Sequence, residues 1–180
     1  MTQLTSTTYR SPVGTLTLVA SASGLRAVIW PGERAGRVGL AGTTPTSGEA
    51  PVLAAATTQL DEYFAGTRTT FDLPLDLRGT AFQLAAWQAL REIPYGETRT
   101  YAEQAARLGR PAAVRAVGAA NGRNPLSIVL PCHRVVGSDG ALRGFAGGIE
   151  AKAALLAFEQ RSSQVSWPGP VALGGEAAVP

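Results

Sequence analysis

The chain has 180 residues, 45% of them apolar, and a formal net charge of +3. That is enough apolar side chain for one large domain or two small ones. Its single cysteine excludes an internal disulfide and fits a reducing cytoplasm, and neither a signal pattern nor an apolar run near the roughly 20 residues of a membrane span is present.

The first part reads as strands. Thr15-Leu16-Thr17-Leu18-Val19 alternates polar and apolar, as a half-buried strand does. Ser23-Gly24 is a turn signal, and Leu25 to Trp30 resumes the alternation, so the two runs predict a hairpin. Pro31 to Ala50 is rich in Gly, Thr and Pro and reads as a mobile loop. Pro51 to Ala65 is a helix with Leu53, Leu60 and Phe64 on one face and Gly66 as its stop. Phe71 to Leu77 is a short extended piece interrupted by Pro74.

Arg78-Gly79 marks the junction to a second domain, giving a division into 1–78 and 79–160. Thr80-Ala81-Phe82-Gln83 is a capping box and opens a helix carrying Phe82, Ala86, Trp87 and Leu90. Thr100 to Glu103 is a second capping box, opening a short helix that stops at Gly109. Ala112 to Asn121 follows as a third helix, and the tight turn between the two suggests a helix-turn-helix. Ser127 to Leu130 is a short buried segment leading to Pro131. Asp139-Gly140 is a hairpin signal. A last helix runs from Gly147-Gly148 to Gln160, and 161–180 has the composition of a disordered tail.

Between Gln104 and Ser138 lie five arginines (Arg107, Arg110, Arg115, Arg123, Arg134) and no acid, a pattern that suits phosphates or a solvated basic face. The third helix sets Arg115 among Ala112, Ala113, Ala116, Gly118, Ala119 and Ala120. A helix trimmed to Ala and Gly can press into a minor groove only about 6 Å wide, with the arginine as a wedge. The same alanines also suit a helix packed inside the domain.

Cys132 and His133, the only cysteine and the only histidine, are adjacent. A thiol of ordinary pKa, about 8.5, needs a base to become a good nucleophile, and histidine is that base near neutrality. Consecutive side chains of an extended strand point to opposite faces, so His133 reaches Cys132 only across a turn or through a water. An acid to polarise His133 would complete a relay, and Asp139, Glu150 and Glu159 are all candidates.

Pro131-Cys132-His133-Arg134-Val135 resembles the active-site signature of the O6-alkylguanine-DNA alkyltransferases, the methylated-DNA–protein-cysteine methyltransferases. The likeness extends to Phe82-Gln83, Trp87, Ile93 to Thr98, Tyr101, Arg115 to Gly118, Asn124-Pro125, Gly147-Gly148, Lys152, Leu155-Leu156 and Glu159. It is firm from Phe71 to Glu159 and weaker around Ser11 to Gly14. The resemblance implies an α+β fold: a small N-terminal antiparallel sheet with helices, ribonuclease-H-like, and a helical, winged-helix-like C-terminal DNA-binding domain.

It also implies roles. Cys132 accepts the alkyl group of O6-alkylguanine, and of O4-alkylthymine, in a single irreversible turnover. His133 takes the thiol proton through a water, Glu159 orients His133, and Asn124 holds the active-site turn. Tyr101 assists base extrusion and donates to the departing guanine. Arg115 fills the vacated stack, with Ala116, Gly118 and Asn121 on the DNA face. Carbonyls of Cys132 and Val135 and the N–H of Ala146 read the base. The partner implied is double-stranded DNA with an alkylated guanine, bound through the minor groove by a monomer. Extrusion is required on physical grounds as well, since O6 is out of reach inside a stacked pair.

No cofactor and no metal are expected, because the cysteines and histidines of the zinc site in some relatives are missing here. The extra metal-binding regulatory domain of adaptive-response members is missing too, so no transcriptional role is expected. Alkyltransferase-like proteins carry tryptophan at the nucleophile position, and Cys132 groups this chain with the active proteins. Two alternatives are a DNA-binding sensor that leaves the lesion intact and a cysteine hydrolase with multiple turnovers.

Overall fold

The computed structural model describes residues 3–164. Strands β1 (Thr5–Ser11), β2 (Gly14–Ser21), β3 (Gly24–Ile29) and β4 (Thr46–Ser47) form one sheet in the order β3-β2-β1-β4. The expected hairpin is β2–β3, antiparallel, with a register shift between Val19 and Ala20. β1 was not legible in the pattern, because Thr5-Ser6-Thr7-Thr8 offers no apolar alternation. Its β-branched threonines nevertheless favour extended backbone, and it pairs antiparallel with β2 from Gly14 to Ala20. β4 joins β1 in parallel, so the sheet is mixed at that edge and not wholly antiparallel.

Leu16, Leu18 and Ala20 of β2 point into the main core with Leu53, Ala56 and Leu60 of helix α1 (Pro51–Phe64). Val19 of β2 and Ala27 of β3 point the other way and pack with Val38 and Leu40. Both faces of the sheet are therefore apolar and both need cover. This corrects the reading of 31–50 as a mobile loop. Its Ala35–Val38 turn of 3-10 helix buries Val38, and Arg37 donates to the carbonyls of Gly122 and Asn124 at 2.9 and 3.0 Å. The Phe71–Leu77 segment lies along β3, with Leu25 N–H donating to Pro74 O and Asp76 N–H to Leu25 O.

Both capping boxes are formed. Thr80 opens α2 (Ala81–Leu90) and Thr100 opens α3 (Tyr101–Arg107), each bonded reciprocally with the residue three further on. Helix α4 (Val114–Gly122) follows, starting two residues later than expected, and packs against α2 and α3. The Asp139-Gly140 signal makes a turn, with Gly140 N–H donating to Gly137 O, but no hairpin. Strand β6 (Val135–Val136) pairs instead with β5 (Arg99–Thr100), in parallel, bringing distant segments together.

Helix α5 (Gly148–Gln164) carries residues 161–164, which were assigned to a disordered tail; the rest of that tail lies outside the described residues. The extension follows from close packing: the segment runs beside two turns whose glycines leave room for it, since a Cβ added at Gly66 would lie 3.5 Å from Ser162 Oγ and one at Gly96 only 2.7 Å from Ser163 Oγ. Among the described residues no helix is long and apolar enough to cross a membrane.

Candidate active site

The nucleophile candidate sits on one turn of 3-10 helix, Cys132–Arg134, that follows Pro131. This turn replaces the extended geometry that would have thrown Cys132 and His133 to opposite faces. Upstream, Asn124 organises the approach. Its Nδ2 donates to Leu130 O at 2.8 Å and its Oδ1 accepts from Leu126 N–H at 3.0 Å. Within the loop so closed, Ile128 has φ 76°, a conformation that a β-branched residue adopts only under strain. Its side chain is buried, so packing holds the strained turn in place.

Glu159 of α5 is the hub. Its carboxylate lies 2.7 Å from His133 Nε2, accepts from Tyr63 Oη at 2.7 Å, and accepts from Arg134 Nε and Nη2 at 2.8 and 3.0 Å. Gly96 N–H donates to it as well, at 3.2 Å. Burial alone would raise the Glu159 pKa, but His133 and Arg134 more than offset it and bring it down to about 2. Glu159 is therefore an anion at neutral pH. Its contact with Nε2 favours the tautomer with the proton on that nitrogen, leaving Nδ1 as the acceptor. Among the described residues Nδ1 has no hydrogen-bond partner. Burial lowers the His133 pKa despite Glu159, so the ring is a neutral base.

Burial also pushes the Cys132 thiol up, while Asn124, Lys152 and Arg37 pull it down in part. The resting group is a thiol that must lose its proton as it reacts. Lys152, fully buried on α5, is the nearby cation. Its Nζ donates to Arg143 O at 2.7 Å and lies 5.7 Å from the centre of the Tyr101 ring. Tyr101 Oη donates to the same carbonyl at 3.0 Å, so both residues pin the 143–147 loop. Burial, with Cys132 nearby, raises the Tyr101 pKa and keeps the phenol protonated. Val135 is fully buried beside the turn, and Ala146 packs against the same core.

Of the three acids open to His133, the structure brings only Glu159 to it. Asp139 is paired with Arg143 at the surface, and Glu150 is exposed. Arg115 and Ala116 stand exposed on α4, with Gly118 partly exposed beside Tyr101. Asn121, expected on that face, points inward instead. Its Nδ2 donates to Gln104 Oε1 at 2.7 Å and ties α4 to α3. Tyr63, and Lys152 as a working cation, were missed. Tyr63 lies 96 positions from Glu159 and carries no local signal, while Lys152, as the chain's only lysine, could have drawn notice. Among the described residues no cluster of three or more His, Cys, Asp or Glu could hold a metal.

Two family models match the chain: the ribonuclease-like domain of 6-O-methylguanine DNA methyltransferase over residues 4–77, and its DNA-binding domain over 81–161. The methylated-DNA–protein-cysteine methyltransferase of Mycobacterium tuberculosis is 48% identical over 156 residues, 85% of this chain and 90% of that one.

The chain belongs to the methylated-DNA–protein-cysteine methyltransferase family.

A constitutive member from Bacillus subtilis is 59% identical over 115 residues, covering 63% of this chain and 70% of its own. Among solved structures, Mycobacterium tuberculosis OGT in complex with DNA matches with a TM-score of 0.77 and 45% identity, covering 89% of this chain and 94% of that one. The α+β fold expected from the resemblance is the fold found, apart from the mixed sheet edge.

Proposed function

We propose that this methyltransferase repairs DNA directly by moving the alkyl group from O6 of guanine onto Cys132. The observation that carries this reading is the Glu159–His133 pair at 2.7 Å, on the turn that holds Cys132, with Nδ1 left to accept a proton. In the reaction the Cys132 Sγ–carbon bond forms as the carbon–O6 bond breaks. The thiol proton passes to His133 by way of a water. The electron pair returns to the guanine, which Tyr101 steadies with a hydrogen bond. A thioether is chemically stable, and among the described residues no second thiol stands ready to take the alkyl group on, so each chain acts once. O4-alkylthymine presents the same leaving chemistry.

DNA is the partner, and α4 is the element we place against it, in the minor groove. Ala116 and Gly118 allow close approach, and Arg115 enters the stack where the flipped base leaves. Flipping costs a few kcal/mol, less for a weakened pair. Carbonyls of Cys132 and Val135 and the N–H of Ala146 face the extruded base. The chain works as a monomer in the cytoplasm, and its 79–160 part carries the chemistry. The 1–78 part contributes Tyr63 to the Glu159 hub.

The test is whether the lesion survives. Incubation with an O6-methylguanine duplex, followed by digestion and quantification of bases, should convert the lesion to guanine in proportion to protein added. A lesion that is bound but recovered intact would identify a sensor instead.

A further inference from the structure

Two adjoining cavities, of about 470 and 140 Å3, lie where residues 36–46 meet the end of α4, and they share Gly39 and Arg78 as walls. The larger is lined by Arg26, Arg78 and three threonines, the smaller by Arg37, Arg78, Gln83 and Arg123. No carboxylate lines either one. Asp76 is shared by Arg26 and Arg78, Glu33 serves Arg37, and Arg123 has no salt bridge among the described residues. Four guanidinium groups thus face two carboxylates.

Two of these arginines have nitrogens without partners. The Arg26 side chain is only 6% exposed, and its buried Nη1 has no acceptor among the described residues. The same holds for Nη2 of Arg37. A buried donor without an acceptor is costly, and the cost is larger for a charged group. An anion in the seam offsets the charge excess of these guanidinium groups. Guanidinium forks match a tetrahedral oxyanion geometrically, and threonine hydroxyls add donors.

We propose that this seam is a phosphate seat, in which Arg78 and Arg123 grip a phosphate group and Arg26 and Arg37 supply charge from behind. The seat goes beyond the alkyl-transfer reading, since neither Arg78 nor Arg123 takes part in the chemistry at Cys132. The phosphate has two possible sources, a DNA backbone running past the end of α4 or a free phosphate.

The full chain is titrated with inorganic phosphate against chloride at constant ionic strength, following arginine Nε–H signals by NMR. In parallel, unmodified duplexes of increasing length are bound across a salt series. A free-phosphate site shifts the Arg78 and Arg123 signals, and Arg78→Gln weakens that binding at least tenfold. A backbone site leaves inorganic phosphate weak, while Arg78→Gln lowers the salt slope by about 0.9 on long duplexes alone, the value of one lost phosphate contact. Arg123→Gln, which breaks no salt bridge, should repeat either result if Arg78→Gln folds poorly. Arg78→Gln should react with free O6-benzylguanine at the wild-type rate. Absence of that reaction in the wild type would defeat the repair reading and leave the seat standing. Unshifted arginine signals together with unchanged salt slopes in both variants would overturn the seat.

Discussion

His133 Nε2 lies 2.7 Å from Glu159 Oε1, both side chains are fully buried, and the two are separated by 26 positions in the chain. The contact fixes which nitrogen of His133 works as a base. It also places an anion at the centre of four further hydrogen bonds, from Tyr63, Arg134 (two) and Gly96. Arg134 and Tyr63 restrain that anion, so His133 stays neutral and ready to accept a proton.

Tyr63→Phe removes one donor from Glu159 and leaves the ring packing intact. The expected loss of stability is about 1.5–3 kcal/mol, typical of a hydrogen bond to a charged group. With less competition Glu159 favours protonated His133 more, so the His133 pKa rises. The acid limb of the alkyl-transfer rate should then move to higher pH. Denaturant unfolding and a pH–rate profile check the two halves.

Lys152→Met removes one of the two cations that pull the Cys132 pKa down. The thiol should become harder to ionise, its thiolate fraction falling by about tenfold per unit of pKa, and alkyl transfer should slow by less than that because a more basic thiolate is a better nucleophile. Iodoacetamide reaction rates across pH check the cause, since their midpoint should shift upward. A slowed transfer with an unmoved midpoint would assign Lys152 only to holding the 143–147 loop.

Gly147 packs against Trp30, and a Cβ there would lie 2.4 Å from the indole ring. Gly147→Ala should therefore push the loop over the active site away from the sheet. A loss of about 1–3 kcal/mol is expected, as for overpacked cores. Thermal unfolding measures it, and the same substitution should cost less in a Trp30→Ala background, where the indole ring is gone.

Stability should depend on acidity in two legs. His133 has a folded pKa below its ordinary value, so the unfolded chain binds the proton first. Stability therefore starts to fall as pH drops through the unfolded value, about 6.5. Glu159 has a folded pKa of about 2, so its contribution is complete above its ordinary value, 4.5, and is lost as pH falls toward 2. His133→Gln should remove the first leg and shrink the second, since His133 helps to hold the Glu159 pKa down, as read by unfolding midpoints across pH.

Arg115→Ala should weaken repair of duplex lesions by about tenfold or more, yet spare the reaction with free O6-benzylguanine. Arg115 is exposed on α4 and makes none of the hydrogen bonds to Glu159. Equal loss on both substrates would contradict its role in extrusion.

Much of this was legible in the residues, and the reasons differ by element. The capping boxes at Thr80 and Thr100 are local chemistry, so they could be read directly. The β2–β3 hairpin announced itself by alternation. Strand β1 did not, because its threonines show no apolar period, and β5–β6 joins segments that no local rule connects. Cys132 and His133 stood out as singletons, but spacing left three acids open to His133, and only the family resemblance singled out Glu159. The part of Tyr63 depends wholly on tertiary packing, whereas Lys152 stands out as the only lysine but its place beside Cys132 does not. Asn121, expected on the DNA face, is turned inward by its amide pairing with Gln104, a contact between two helices that no local pattern shows.

The most direct test of the account is peptide mass mapping after incubation with a duplex carrying one isotopically labelled O6-methylguanine. The account predicts one labelled methyl group per chain, on Cys132, with no further transfer on adding more DNA. Label on another residue, or repeated turnover with Cys132 unmodified, would contradict it.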